Sequence, residues 1–198
     1  MLLRLPDLVY KYFDIQKVFN TSKNKYENKI RGIDCPVWVL LELLTFGDFI
    51  CFYEYYYATK GQVPISTSLI NLVKSLRNGC AHNNCIIADL NPGASKTPPE
   101  ISASITGMSD ITKSQRKKKL SCRVILEFVC MLHIYDQVVS VNVKNKRVTE
   151  LKDLFAERVS EKGIFFEKNQ LITSSYDFVK KVSDRDLNLY LKTSSFRV

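Results

Sequence analysis

"PVWVLLELLTFGDFICFYEYYYA", Pro36–Ala58, is the longest apolar run in a chain of 198 residues. Its length would suit a membrane span, but Glu42, Asp48 and Glu54 interrupt it at intervals of six. A carboxylate near the bilayer centre costs roughly 3 kcal/mol. The run therefore reads as a core helix. Asp34 and Pro36 open it in the manner of a helix start, and Gly61 and Pro64 close it. The expectation is one helix over 36–58, packed against the helix that follows, with Trp38 largely buried.

The flanks read as helices too. Between Pro6 and Gly32 there is neither proline nor glycine, so "DLVYKYFDIQKVF" is predicted to be amphipathic helix, and the polar "NTSKNKYENK" a turn or solvated continuation. Leu69, Leu72, Val73 and Leu76 repeat at three and four behind Ser66 and Ser68, which can cap the helix they form. "DLNPGASKTPPE" is the clearest loop, and 89–114 is expected to be mobile. "KKKLSCRVILEFVCMLHIYDQVVSV" reads as one long helix with Leu120, Val124, Phe128, Met131, Leu132 and Tyr135 along one side. Shorter helices are expected at 146–160 and 174–191. No alternating stretch is long enough for a sheet, apart from a short piece at "GIFFE". The class is all-α, a helical domain over 1–160 with a helical extension over 161–198.

Composition narrows the function. An apolar fraction of 45%, with 11 Phe and 10 Tyr, excludes disorder of the whole chain. The excess of 29 Lys+Arg over 20 Asp+Glu, +9 in all, favours an anionic partner such as nucleic acid or a membrane surface, with solubility alone as the plainer reading. The segment after Met1, "LLRLPDLVYKYFD", has no long apolar run or small-residue cleavage site. The six cysteines form no Cys-x-x-Cys pair, and several sit within apolar helical patterns. A cytoplasmic, reduced protein without membrane spans is expected.

The chemistry concentrates in "LRNGCAH", Leu76–His82. On a helix Asn78 and His82 share a face, and the long Arg77 side chain can curl toward it. Arginine can grip a phosphate with two hydrogen bonds, and histidine moves a proton near neutral pH. Metal-free RNA cleavage needs such a pair: a base for the 2′-hydroxyl and a fixed cation for the phosphorane. The commoner use of these residues at a helix end is to cap carbonyls and complement the dipole. Cys80, His82 and Cys85 could be read as zinc ligands, but Cys-x-His-x-x-Cys matches no common structural site, so no metal or cofactor is expected. "KSQRKKKL" gathers Lys113, Arg116, Lys117, Lys118 and Lys119, a run suited to phosphate backbones without base stacking. His133 reads as a packed histidine, Cys80 as a small core-facing residue, and the aromatics of "FYEYYY" as interface material.

Two linked motifs carry a resemblance. Pro36, Trp38, Glu42, Thr45, Phe46 and Gly47 fit Pro-x-Trp-x-x-x-Glu-x-x-(Ser/Thr)-Phe-Gly, and Leu76, Arg77, Asn78, Cys80, Ala81 and His82 fit Leu-Arg-Asn-x-Cys-Ala-His. In that order they resemble the Abi-like (AbiD/AbiF) abortive-infection family of the HEPN superfamily. The resemblance implies a HEPN-like helical bundle and an endoribonuclease or RNA-binding protein of phage defence or a toxin–antitoxin system. It also implies a homodimer that faces two copies of the motif, with Arg77, Asn78 and His82 as catalytic residues. The family's N-terminal Tyr-Tyr-Arg-Leu-Ser-Gly-Tyr type motif has no match, so the chain looks like the C-terminal part, with a missing N-terminal half or a partner encoded nearby. After His82 the chain reads "NNCIIADLNP" where the family often continues with His/Arg and Leu-Trp-Asn. The alternative is a non-catalytic RNA-binding module or a helical dimerisation and regulatory domain.

Overall fold

Phe13, Ile15, Val18 and Phe19, then Tyr26, Ile30 and Ile33, are the aromatic and β-branched residues that suit a pleated strand. In the computed structural model they form a hairpin, β1 (Phe13–Asn20) and β2 (Lys25–Ile33), where the sequence predicts an amphipathic helix over 7–19 followed by a turn or solvated continuation. The strands pair antiparallel, with Phe13 opposite Ile33 and Asn20 opposite Lys25, and the register shifts between Asp14 and Ile15. The turn between them needs a left-handed residue, which Asn24 supplies at φ 49°. The structure describes residues 13–33, 36–93, 95–158, 161 and 163–194. The first part of the expected helix, 7–12, lies outside them.

The apolar run is two helices, α1 (Val37–Leu43) and α2 (Phe46–Lys60). Thr45 and Asp48 break it. The Thr45 hydroxyl accepts from the Asp48 backbone N–H at 3.2 Å, and the Asp48 carboxylate accepts from the Thr45 N–H at 3.3 Å. This reciprocal box starts a new helix inside an apolar stretch. Gly61, left-handed at φ 71°, ends α2 where expected. Trp38 is 70% exposed, contrary to the burial expected for it. Tyr55 and Tyr56 of α2 are exposed as well.

The chain divides after Gly61 into two compact units. The second unit is all helix among its described regular elements: α3 (Thr67–Ala81), α4 (Pro99–Ser104), α5 (Lys113–Leu120), α6 (Arg123–Val138), α7 (Val141–Asp153) and α8 (Gln170–Ser194). With only a two-stranded sheet elsewhere, the fold is all-α, as the sequence predicts. "GIFFE" contributes a 3₁₀ turn, Gly163–Phe165, and no strand.

Helix α6 is the axis of the core, in contact with α3, α4, α5 and α8. Leu126, Val129 and Leu132 are buried, with Leu69 of α3 and Phe178 and Val182 of α8 against the same cluster. Segment 89–114, expected as a mobile loop, places Leu90, Ile101, Ile105 and Ile111 in that core. Ile101 and Ile105 stand four apart, so one short helical turn directs both inward. The long helix of the sequence reading is interrupted at Ser121 and Cys122. There the Ser121 carbonyl accepts from the backbone N–H groups of Gly93 and Ser95, and the Thr97 hydroxyl donates to the Leu120 carbonyl. The loop thus takes the place of the next helical turn.

Cys130 is fully buried, and its thiol donates to the Leu69 carbonyl at 3.4 Å. Burial, with the carboxylates of Glu100 and Glu127 adding to it, pushes this thiol up to about 12. Alkylation at pH 8 is expected to mark the exposed Cys51, Cys80 and Cys85 and to leave Cys130 intact until the protein unfolds. Peptide mass spectrometry reads the result. Because the folded pKa lies above the unfolded one, this thiol's contribution to stability is complete below the ordinary thiol range. It is lost as the pH climbs toward 12.

Candidate nucleic-acid site

Helix α3 buries Leu69, Ile70 and Leu76, and the residue after the last of these, Arg77, turns to solvent. Its guanidinium Nη1 donates to the Asn78 side-chain oxygen at 3.1 Å, which ties the two side chains together. One turn later the His82 N–H donates to the Asn78 carbonyl at 3.0 Å. The imidazole itself is exposed, and it makes no hydrogen bond among the described residues.

The helix end is closed by backbone alone. Asn83 is left-handed at φ 53°, its N–H donates to the Cys80 carbonyl at 3.1 Å, and the Asn84 N–H donates to the Gly79 carbonyl at 3.0 Å. These are the two bonds of a Schellman turn, with asparagine at the position glycine usually holds. Neither the Arg77 guanidinium nor the His82 imidazole caps a carbonyl here, which was the commoner use for such residues. The "NN" that follows His82 is the sequence signal for this turn. Replacing Asn83 with alanine is expected to cost about 1–2 kcal/mol and replacing it with glycine almost nothing, measured by urea denaturation.

The basic run forms α5, capped by a box between Thr112 and Gln115. Two of its five cations are engaged within the fold. Arg116 donates to the Ile105 carbonyl at 3.4 Å, and the Lys119 ammonium donates to the hydroxyls of Ser174 and Ser175 at 2.7 and 3.0 Å. Partial burial, and then the neighbouring charge of Lys118, lowers the pKa of Lys119. Lys113, Lys117 and Lys118 remain exposed. His133 is half-buried and bonded to Gln137 at 2.8 Å. Cys80 is exposed, where a core-facing side chain was expected. Among the described residues no three His, Cys, Asp or Glu side chains gather as metal ligands, and no helix is long and apolar enough to cross a membrane.

Residues 10–88 match the family model of Abi-like proteins. The match takes in the hairpin, α1, α2 and α3, and runs past His82. No curated protein and no solved structure matches the chain.

Proposed function

From the assignment of residues 10–88 to the Abi-like family, we propose that the chain acts in abortive infection, a form of phage defence, as a metal-independent endoribonuclease of HEPN type. The observation that carries the reading is the exposed pair Arg77 and His82 at a helix end where the Asn78, Gly79 and Cys80 carbonyls already accept backbone N–H groups. Arg77, held by Asn78, grips the scissile phosphate and offsets the charge that builds on the phosphorane. His82 takes the proton of the 2′-hydroxyl or returns one to the departing 5′-oxygen. The products are a 2′,3′-cyclic phosphate and a 5′-hydroxyl. Flexible single strands and loops are the substrates, because in-line attack needs a backbone geometry that an A-form duplex denies. DNA, without a 2′-hydroxyl, survives.

One imidazole cannot readily serve both faces of a single phosphate, so a homodimer with two facing motifs supplies base and acid together. Sedimentation velocity is expected to show a dimer at micromolar concentration; a strict monomer that still cleaves RNA would overturn the two-histidine arrangement. The test of the activity is end-labelled RNA incubated with the protein in EDTA, with the cyclic phosphate identified by mass spectrometry. Tight binding without any cutting would favour an RNA-binding module instead.

The basic helix α5 adds affinity that does not depend on sequence. With Lys113, Lys117 and Lys118 exposed, changing all three to glutamine is expected to flatten the log–log salt slope of RNA binding by about 2, at roughly 0.7 per phosphate contact on single strands. Fluorescence anisotropy at several salt concentrations measures that slope.

A further inference from the structure

Between Ile15 and Ile30 the chain has four lysines and a single carboxylate, Glu27, which leaves this stretch of the hairpin at +3. The register sorts these charges by face. Neighbouring strand residues point to opposite sides, so the pairs Asn20–Lys25 and Val18–Glu27 share one face, and Phe19–Tyr26 and Lys17–Asn28 share the other. On the first face Glu27 is already engaged. Its Oε1 meets the ammonium groups of Lys23 and Lys25 at 3.0 and 3.9 Å, and its Oε2 accepts from the Asn20 amide at 2.9 Å. On the second face Lys17 is exposed and in no ion pair among the described residues. Phe19 and Tyr26 meet there edge to face, with ring centroids 5.1 Å apart, yet they stay 45% and 71% exposed.

We propose that this face of the hairpin binds single-stranded RNA, with bases stacked on Tyr26 and Phe19 and the Lys17 ammonium set against the backbone. A cross-strand ring pair helps to hold two strands together, which accounts for the contact between the rings. It does not account for rings this open beside a free cation, with the nearby carboxylate neutralised on the opposite face. Open rings flanked by cations are the construction of a sequence-tolerant single-strand site, since every base has a face to stack and every nucleotide a phosphate. A duplex hides its base faces within its own stack, so it offers the rings nothing. Helix α5 supplies charge without rings, and the hairpin adds the stacking that α5 lacks. That the strand is RNA rests on the proposed function; that it is single and held by stacking rests on the hairpin alone.

A 2′-O-methyl oligouridine of about twelve nucleotides has no free 2′-hydroxyl to be cut, so it separates binding from cleavage. By fluorescence anisotropy the full chain is expected to bind it about tenfold more tightly than an abasic strand with the same number of phosphates. Tyr26→Val keeps a strand-forming residue and is expected to lose about fivefold or more of that preference, whereas Tyr26→Trp keeps it. Lys17→Gln is expected to weaken both strands alike and to flatten the log–log salt slope by about 0.7. A further measurement needs no variant: RNA carrying 5-iodouridine, irradiated on the wild-type chain, is expected to crosslink within the Phe19–Tyr26 hairpin, as located by peptide mass spectrometry. Failure to bind either strand, equal affinity for the abasic one, an undiminished base preference in both Tyr26→Val and Phe19→Val, or crosslinks that omit the hairpin each overturn the stacking site. Cleavage of ordinary RNA alongside any of those results leaves the proposed activity standing. Hairpin-dependent binding without cleavage removes the activity and leaves the stacking site.

Discussion

Replacing His82 with alanine is expected to slow RNA cleavage about 10²–10⁴-fold, the usual consequence of removing one acid–base group. The fold should not notice. His82 is exposed, its side chain makes no hydrogen bond among the described residues, and the helix end it occupies is closed through backbone N–H groups. A surface change of this kind is usually within about 0.5 kcal/mol. Arg77→Ala is expected to lose a comparable factor in rate, because the phosphorane would then form without its fixed cation. Arg77→Lys should recover only part of it, since an ammonium cannot make the two parallel bonds of a guanidinium. Single-turnover rates on labelled RNA in EDTA, taken beside melting curves, give both quantities. Undiminished cutting by both alanine variants would remove these residues from the mechanism.

The second large effect is one of stability. Ile101 is completely buried in α4, inside a segment whose prolines and small polar residues read as loose chain. Ile101→Ala is expected to cost about 2–5 kcal/mol, as truncation of a fully buried aliphatic side chain does. Urea denaturation measures it. A change near zero would mean that 89–111 is held on the core weakly enough to re-pack, and the expected mobile loop would then describe it better.

Periodicity succeeded where one face of a helix had to be apolar. Leu69, Leu72, Val73 and Leu76 sit in or against the core as their spacing predicts, and so do Leu120, Val124 and Leu132. It failed where local hydrogen bonding overrode the pattern. The Thr45–Asp48 box splits an apolar run that hydropathy alone joins, and the Gly93–Thr97 loop splits a second run through partners that are distant in sequence. The first break was legible, since Thr-x-x-Asp is a helix start of the capping-box kind. The second was not, because nothing near Ser121 announces a partner 28 residues earlier. The hairpin is hard to read because Phe13–Phe19 contains residues that serve strand and helix alike, and its main signal is Asn24 as a left-handed turn residue. At the candidate site the residue types and their order were legible. The use already made of Arg116 and Lys119 was not, because it depends on where Ile105 and the serines of α8 come to lie.

The backbone closure of α3 has a consequence for how substitutions here would be tolerated in a cell. Positions 77, 78 and 82 contribute side chains that the helix end does not need, while Leu76 is in the buried apolar set and Asn83 holds the left-handed turn. In a saturation library scored only for protein abundance, most replacements at Arg77, Asn78 and His82 should pass unnoticed. Polar replacements at Leu76 and β-branched ones at Asn83 should deplete. On the proposed function, the requirements of persistence and of chemistry fall on different side chains within eight consecutive residues, so either can drift without dragging the other with it.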